Sequence, residues 1–573
     1  MTEPFVPSPQ QKLIIEAGLV SQRIIACAGS GKTATAVRRL AEIRQQLGVS
    51  RQYVALLSYS NVAVDTFRAE YAKLTAGRQG LSNRVLICTV DAFVTSHILS
   101  PHAAPTMQCA RRPYLVNGHE PFLKGFTFFN GKFNEEIRFL SAVLNGTKWD
   151  FFNTAMRGNA VPVNDSSALN AVRKLGGAGA YTHDLGRYWA VRTLMDRPRL
   201  LKILAHLYPY ILIDEAQDIG SVHGCLLELL VAEGATVSLV GDPNQAIYEF
   251  AHADGSFLRS FDPGGTGQKE TLSENRRSIQ SLVDVTNKLS GTTYFSVRPV
   301  PNRKSGSYLM TYKDEELFNV RPMFAEVLAN HGYAHDSAAV LCRARDTVSL
   351  ITGSGDSWGQ GATEHFARAA FSRDRNGDIA DAFAHAVDGT FRLLDRPPST
   401  LRAMVLSGTD DLLARAVRRI IWAFLRTPAT GIPAASLGAK SDWLPKLKAN
   451  LTPLLTTLQT KCGLPCVAKW GYGVTSKNLA EEPLWSQDLA MSTVPLPPVK
   501  TVHQAKGQSI DAVLYLLRSS DVSKLLAGPV HEDGRIGYVG LTRARDLLVV
   551  ALPNTTKAAL IKRFRDAGFS DWS

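Results

Sequence analysis

The run Ala26-Cys27-Ala28-Gly29-Ser30-Gly31-Lys32-Thr33 constrains the fold more than any other stretch of the chain. It follows the apolar, strand-like Arg23-Ile24-Ile25 and leads into Ala36, Val37, Leu40 and Ile43, spaced for one helix face. A glycine-rich turn between strand and helix gathers backbone N–H groups and the positive helix end at one point, which suits a phosphate. Ala28, Gly29, Ser30 and Gly31 then form the cradle. Lys32 reaches the β- and γ-phosphates, and the Thr33 hydroxyl is a ligand for Mg2+. The first glycine of the usual G-x-x-x-x-G-K-[ST] pattern is Ala26 here, and a chance glycine turn is the alternative.

Two further apolar runs end in polar turns. Ile211-Leu212-Ile213 runs into Asp214-Glu215-Ala216-Gln217-Asp218. There Asp214 suits Mg2+ and Glu215 suits orienting and deprotonating an attacking water. An acidic pair at this place also suits a plain helix start; beside a phosphate loop it becomes specific. Ser238-Leu239-Val240-Gly241 runs into Asp242-Pro243-Asn244-Gln245-Ala246-Ile247-Tyr248. Gln245 is placed to meet both the terminal phosphate and the water, and Tyr248 and Phe250 follow close behind.

Composition bounds the rest. A chain of 573 residues exceeds one core, and roughly three to five domains are expected. Its 45% hydrophobic and 20% charged residues describe a globular protein, and the net charge of +13 favours polyanions such as nucleic acid. No apolar run reaches the ~20 residues of a membrane span, and Met1-Thr2-Glu3-Pro4 opens no signal-peptide core. Seven scattered cysteines point to reduced thiols and a cytoplasmic location. Cys462 and Cys466 lack the second pair that a zinc site of common spacing needs.

In this order and wording the three elements resemble motifs I, II and III of the UvrD/Rep-type superfamily 1 DNA helicases, the family of Rep and PcrA. Further matches follow at Gln11, at Ser58-Tyr59-Ser60-Asn61 and at Thr89-Val90-Asp91-Ala92-Phe93. Leu272-Ser273-Glu274-Asn275-Arg276-Arg277-Ser278, Thr501-Val502-His503-Gln504-Ala505-Lys506-Gly507 and Tyr538-Val539-Gly540-Leu541-Thr542-Arg543-Ala544-Arg545 complete the set. The resemblance spans residues 11 to 545. It implies two RecA-like α/β parallel-sheet motor domains, each with an inserted accessory domain, closing on ATP. It further implies that Gln11 reads adenine and that Arg277 and Arg543 stabilise the transferring phosphoryl group. It places Tyr59, Asn61, Phe93, Tyr248, Phe250 and His503 along single-stranded DNA. Core packing is the alternative for each aromatic taken singly, and a hydrogen-bonded structural role for His503. Lys506 meets either the strand backbone or the ATP cleft.

Four positions depart from the family pattern, all on the base and sugar side. The adenine-stacking tyrosine is Arg276, which stacks through its guanidinium. The arginine after the loop threonine is Ala34, and Ser509 replaces the ribose-binding glutamate. After Phe250 the chain reads Ala251-His252-Ala253 in place of Arg-Gly-Ala. ATP hydrolysis with altered base selectivity is therefore expected.

The motifs divide the chain into a first RecA-like domain over residues 1–95 and 200–275 and a second over 276–365 and 490–573. Between the halves of the first lies an insertion, 96–199, where Asn117-Gly118 and Asn130-Gly131 signal hairpins among strand-prone aromatics. Arg111, Arg112, Lys124, Lys132, Lys148 and Trp149 make it a DNA contact or a hairpin with a solvated basic face. The second insertion, 366–489, is mostly helical, with Leu412, Leu413, Ala416, Val417, Ile420, Ile421 and Phe424 on one face. Its Arg415, Arg418, Arg419, Arg426 and Trp422 suit duplex binding, or better an amphipathic core helix with a charged outer side. The chain ends soon after its last motif, so no fused nuclease is expected.

The expected function is an ATP-dependent 3′–5′ DNA helicase or translocase acting on single strands or single/double-strand junctions, without membrane contact. The alternative is an ATPase and DNA-sensing subunit regulating a partner nuclease in a repair or antiphage complex, as in compact helicases of the Gabija kind.

Overall fold

The computed structural model describes residues 5–77, 83–116, 118, 120–155, 160–247, 253–352, 358–395, 397–398, 400–407, 411–485 and 496–572. They fall into two compact units, Met1–Thr311 with Val502–Ser573, and Tyr312–Thr501.

The first unit holds a six-stranded sheet, with strands β1 (Gln22–Ala26), β2 (Val54–Ser58), β3 (Val85–Thr89), β4 (Tyr210–Ile213), β5 (Thr236–Gly241) and β6 (Gln268–Leu272). The spatial order is β6-β1-β5-β4-β2-β3, and every pairing is parallel. Strands covered on both faces have no polar side, and β2 and β4 are accordingly buried at every residue. Register then matters for chemistry. Ile25 lies opposite Gly241 and Ile213 opposite Leu239, so the turns after β1, β4 and β5 leave from one edge. Ligands of open parallel sheets bind at that carboxyl edge.

Helices follow the strands. Helix α1 (Pro9–Glu16) opens on a reciprocal cap between Ser8 and Gln11, and α2 (Lys32–Gln46) grows straight from the glycine turn. Helix α3 (Asn61–Thr75) is capped by Ser60, whose hydroxyl accepts from the Ala63 N–H. Within α2 the wholly buried Arg39 ties three parts together. It donates to the Tyr210 hydroxyl at 3.0 Å and to the carbonyls of Ala17 and, at 2.6 Å, Gly18. Arg39→Met keeps the stem but strands these acceptors, so we expect about 3 kcal/mol of lost stability in a denaturant titration.

Between β3 and β4 the chain leaves the sheet. Thr127–Phe129 pairs antiparallel with Asn134–Glu136, and Leu140–Asn145 with Lys148–Asn153. The turn of the first pair lies at Asn130–Gly131, where the Asn130 side-chain oxygen Oδ1 accepts from the backbone N–H groups of Lys132 and Phe133. Asn117 lies outside the described residues. Lys148 is engaged by Asp150 at 3.1 Å and Asp165 at 3.4 Å, and Trp149 meets the Tyr188 ring edge-on at 4.6 Å. Helices α4 (His183–Asp196) and α5 (Ser221–Ala232) share one core with β4 and β5 through Trp189, Leu194, Leu226, Ile211 and Leu239.

The carboxyl-terminal part of this unit pairs Ile510–Leu516 parallel with Ala544–Pro553, and helix α6 (Glu532–Leu541) lies between them in sequence. The second unit contains a parallel pair, Ala338–Cys342 with Val499–Thr501, and a helical core. Its helix Leu412–Arg426 buries Val417, Ile421, Phe424 and Leu425, but Leu412 is 83% exposed, a correction at the capped end of the helix. Arg418 lies over the Phe383 ring and donates to the carbonyl of Leu406, while Trp422 stacks flat on Phe383 at 4.4 Å. Among the described residues no helix is long and apolar enough to cross a membrane.

Candidate functional site

The carboxyl edge of the six-stranded sheet collects the residues singled out by sequence. The loop between β1 and α2 turns through Gly29 and Gly31, both at φ near +80°. A Cβ on Gly29 would lie 2.4 Å from that of Arg277, and one on Gly31 would lie 2.9 Å from the Gln11 amide nitrogen. Glycine is required here both for backbone handedness and for these close approaches. Ala28 is 3% exposed, and the Ser30 hydroxyl is buried without a hydrogen-bond partner.

Across from this loop, Glu215 adopts a left-handed backbone at φ +53°, a conformation a glutamate takes only when its surroundings impose it. Its carboxylate accepts from the Gln217 amide, whose own oxygen accepts from the Asp242 N–H at 3.0 Å. Burial works against the Glu215 charge, yet Lys32, Lys506 and Arg543 together hold its carboxyl below the usual range. Asp214 stands in the opposite condition: burial first, and then the Glu215 charge, push its carboxyl up. One Asp214 oxygen is buried and unpartnered. A buried carboxylate with a spare lone pair beside Glu215 is the donor a divalent cation needs.

Gln245 is held at both ends. Its amide nitrogen donates to Asp242 at 2.8 Å, and its oxygen accepts from the Arg543 guanidinium at 3.1 Å. Asp242 also accepts from the Tyr538 hydroxyl at 3.1 Å. Arg543 is 1% exposed and makes a further bond to the Val539 carbonyl at 2.9 Å. Burial, followed by the like charge of Arg277, disfavours its cationic form. Arg277 is aimed from the other side by a 3.1 Å bond to the Thr542 carbonyl. Both guanidiniums are desolvated, and the charge of each bears on a site that an anion would relieve. Lys32, Arg277, Arg543 and the spare Ser30 hydroxyl form a cluster able to hold an anion, while the spare Asp214 oxygen suits a cation.

The base side is less open. Gln11 is 1% exposed; its oxygen accepts from the Ser8 N–H at 3.0 Å and its nitrogen donates to the Ser30 carbonyl at 3.2 Å. Reading a base requires exchanging those bonds. The exposed Arg276 hangs beside the loop, its N–H donating to the Gly29 carbonyl at 2.9 Å and its guanidinium to Glu274 at 2.9 Å. Thr33 sits in the first turn of α2, next to Lys32.

The strand residues divide. Asn61 is exposed at the start of α3, and Tyr59 is half-buried just ahead of it. His503 is half-buried in the short helix Val502–Ala505. Phe93 corrects an expectation: it is 1% exposed, wedged edge-on against Tyr208 at 5.2 Å, and presents no ring face to a ligand. It shares one buried core with Leu185, Trp189 and Leu194 of α4. Tyr248 and Phe250 lie outside the described residues. Four contributors were missed by sequence reasoning. Gln217, Asp218, Asp242 and Tyr538 all stand inside quoted motifs, but their partners lie elsewhere in the chain. Lys506 makes a buried ion pair with Asp218 at 2.7 Å. Burial pushes the Asp218 carboxyl up to about 6, against the pull of Lys506.

Residues 8–120 and 182–264 match the family model of the UvrD/REP helicase N-terminal domain. The Bacillus subtilis protein YjcD, whose name describes an ATP-dependent DNA helicase, is 24% identical over 310 residues, 49% of this chain and 40% of that protein. A DNA helicase II homolog of Mycoplasma capricolum is 21% identical over 362 residues, 56% of this chain and 46% of its own. The RecBCD enzyme subunit RecB of Borreliella burgdorferi is 33% identical over 192 residues, 27% of this chain and 16% of that subunit. The matches thus span less than half the length of these relatives.

Proposed function

Starting from a chain of the UvrD/REP helicase type, we propose that it is an ATP-dependent DNA motor that moves 3′ to 5′ along single strands. The observation carrying this reading is the direct bond from Arg543 to Gln245, in a cluster where Lys32 and Arg543 both bear on Glu215.

In the proposed reaction a water oxygen attacks the γ-phosphorus, the bond to the bridging oxygen breaks, and ADP leaves. Glu215 takes the water proton, and Gln245 orients the water through its oxygen. Charge spreading over the γ-phosphoryl oxygens is met by Arg277 and Arg543, while Lys32 and the loop N–H groups hold the phosphate chain. Thr33 and Asp214 would hold Mg2+, which when bound neutralises charge on the β- and γ-phosphates. Gln11 and Arg276 flank the place for the base, and Tyr59, Asn61 and His503 the track for DNA. The same reading assigns two RecA-like domains, residues 1–95 with 200–275 and 276–365 with 490–573, with accessory insertions at 96–199 and 366–489, and a cytoplasmic location.

A second reading is favoured by the names of the relatives. RecB is a subunit of the RecBCD enzyme, and another relative is named exonuclease/helicase subunit RexA. On this reading the chain is the ATPase of a nuclease complex. Strand displacement separates the two, using junctions with either a 3′ or a 5′ single-stranded tail and the chain with or without its gene neighbours. Unwinding by the chain alone from the 3′-tailed junction is the expected result. DNA-stimulated hydrolysis without unwinding, with strand loss only when a nuclease is added, selects the second reading.

A further inference from the structure

Behind Tyr59 lies a hydrogen-bonded chain that the hydrolysis reaction does not use. The Tyr59 hydroxyl is 3.2 Å from His223 Nδ1, and His223 Nε2 is 3.3 Å from Asp91. Asp91 is gripped by Arg187, whose Nε and Nη2 donate to its two oxygens at 3.1 and 2.9 Å, and Arg187 also donates to Asp184 at 3.1 Å. One assignment of protons satisfies every atom. The phenol donates to Nδ1, a neutral imidazole donates from Nε2, and the carboxylate accepts throughout. Burial first, and then the nearby Arg187 charge, favour this neutral ring, against the pull of Asp91. His223 is 5% exposed and meets the Tyr59 ring edge-on at 5.6 Å.

The position of His223 in the chain gives the network its interest. Helix α5 begins at Ser221, three residues after Asp218, so the helix carrying His223 starts where the Glu215 loop ends. Asp218, in the same loop as Glu215, pairs with Lys506 at 2.7 Å. A displacement of the Tyr59 ring is therefore resisted by an imidazole that is anchored at its far side and built into the helix leaving the catalytic loop. A rigid, fully satisfied polar chain transmits such a displacement instead of absorbing it.

We propose that His223 is a positioning residue: it ties Tyr59 to the loop bearing Glu215, so that a strand seated against Tyr59 raises the turnover of ATP. This rests on the reading that Tyr59 faces single-stranded DNA. The test uses the full chain, with ATP hydrolysis measured without DNA and across a titration of oligodeoxythymidine. Tyr59→Phe removes only the hydroxyl that bonds His223; His223→Phe removes both nitrogens and keeps a ring. Each is expected to lower the ratio of strand-saturated to strand-free kcat about fivefold. The half-saturating strand concentration should shift by less than about twofold, since the stacking face remains. The double variant should lose no more than the worse single one, because both break the same link.

A ratio preserved in Tyr59→Phe, losses that add in the double variant, or a change confined to strand affinity each overturns the relay. A parent chain whose hydrolysis ignores the strand overturns the track reading itself, and the relay with it. A stimulated parent with an unaffected Tyr59→Phe overturns the relay alone.

Discussion

Glu215→Gln should hold nucleotide as the parent does yet turn it over at least about a hundredfold more slowly. The amide preserves the shape of the side chain and can still meet the Gln217 side chain that holds it in place. It cannot take a proton from the attacking water. Removing the negative charge also relieves the desolvation that burial imposes, so nucleotide affinity should stay level or improve. Single-turnover hydrolysis beside equilibrium binding of a fluorescent ATP analogue gives both numbers. Binding lost in proportion to turnover would remove Glu215 from the role of base and make it a structural anion among Lys32, Lys506 and Arg543.

Arg543→Ala should cost about a thousandfold in kcat, with a much smaller change in nucleotide affinity. The guanidinium is needed most when charge gathers on the terminal phosphate, so its loss falls on the transition state. The truncation also frees the Gln245 oxygen and leaves a buried space beside Tyr538 and Asp242. Arg543→Lys separates these effects. A lysine restores one charge but not the fork that reaches the Gln245 oxygen and the Val539 carbonyl together, so less than about a tenth of the lost rate should return. Nearly full recovery with lysine would mean that charge alone suffices. A loss confined to nucleotide affinity would take Arg543 away from the phosphoryl group.

The two substitutions probe parts of the site that were unequally readable in the sequence. The phosphate loop was legible because its geometry closes within a few residues: Gly29 and Gly31 take the left-handed turn, and Lys32 opens the helix that follows. Asp214 and Glu215 were legible for a similar reason, an apolar strand ending in two carboxylates at the edge of a parallel sheet. Arg543 and Gln245 stand 298 positions apart, and only the resemblance of whole motifs proposed that they cooperate. Phe93 was not legible, because an aromatic after a strand suits a base stack and a core equally, and here it is 1% exposed. The choice was made by the insertion helices, which share its core. The partner of Lys506 was equally illegible, since Asp218 stands 288 positions away.

By itself the sequence determined a parallel α/β protein with a glycine turn between its first strand and the helix that follows, since strand, turn and helix follow from neighbouring residues. Tertiary structure alone decided which distant groups meet: that Gln245 is strung between Asp242 and Arg543, that Gln11 is spent on its own helix cap and the loop, and that Tyr59 is bonded to His223. The reason is physical. A local turn is fixed by backbone sterics and a few adjacent hydrogen bonds, whereas the partner of a buried polar group is chosen by how the whole core closes around it.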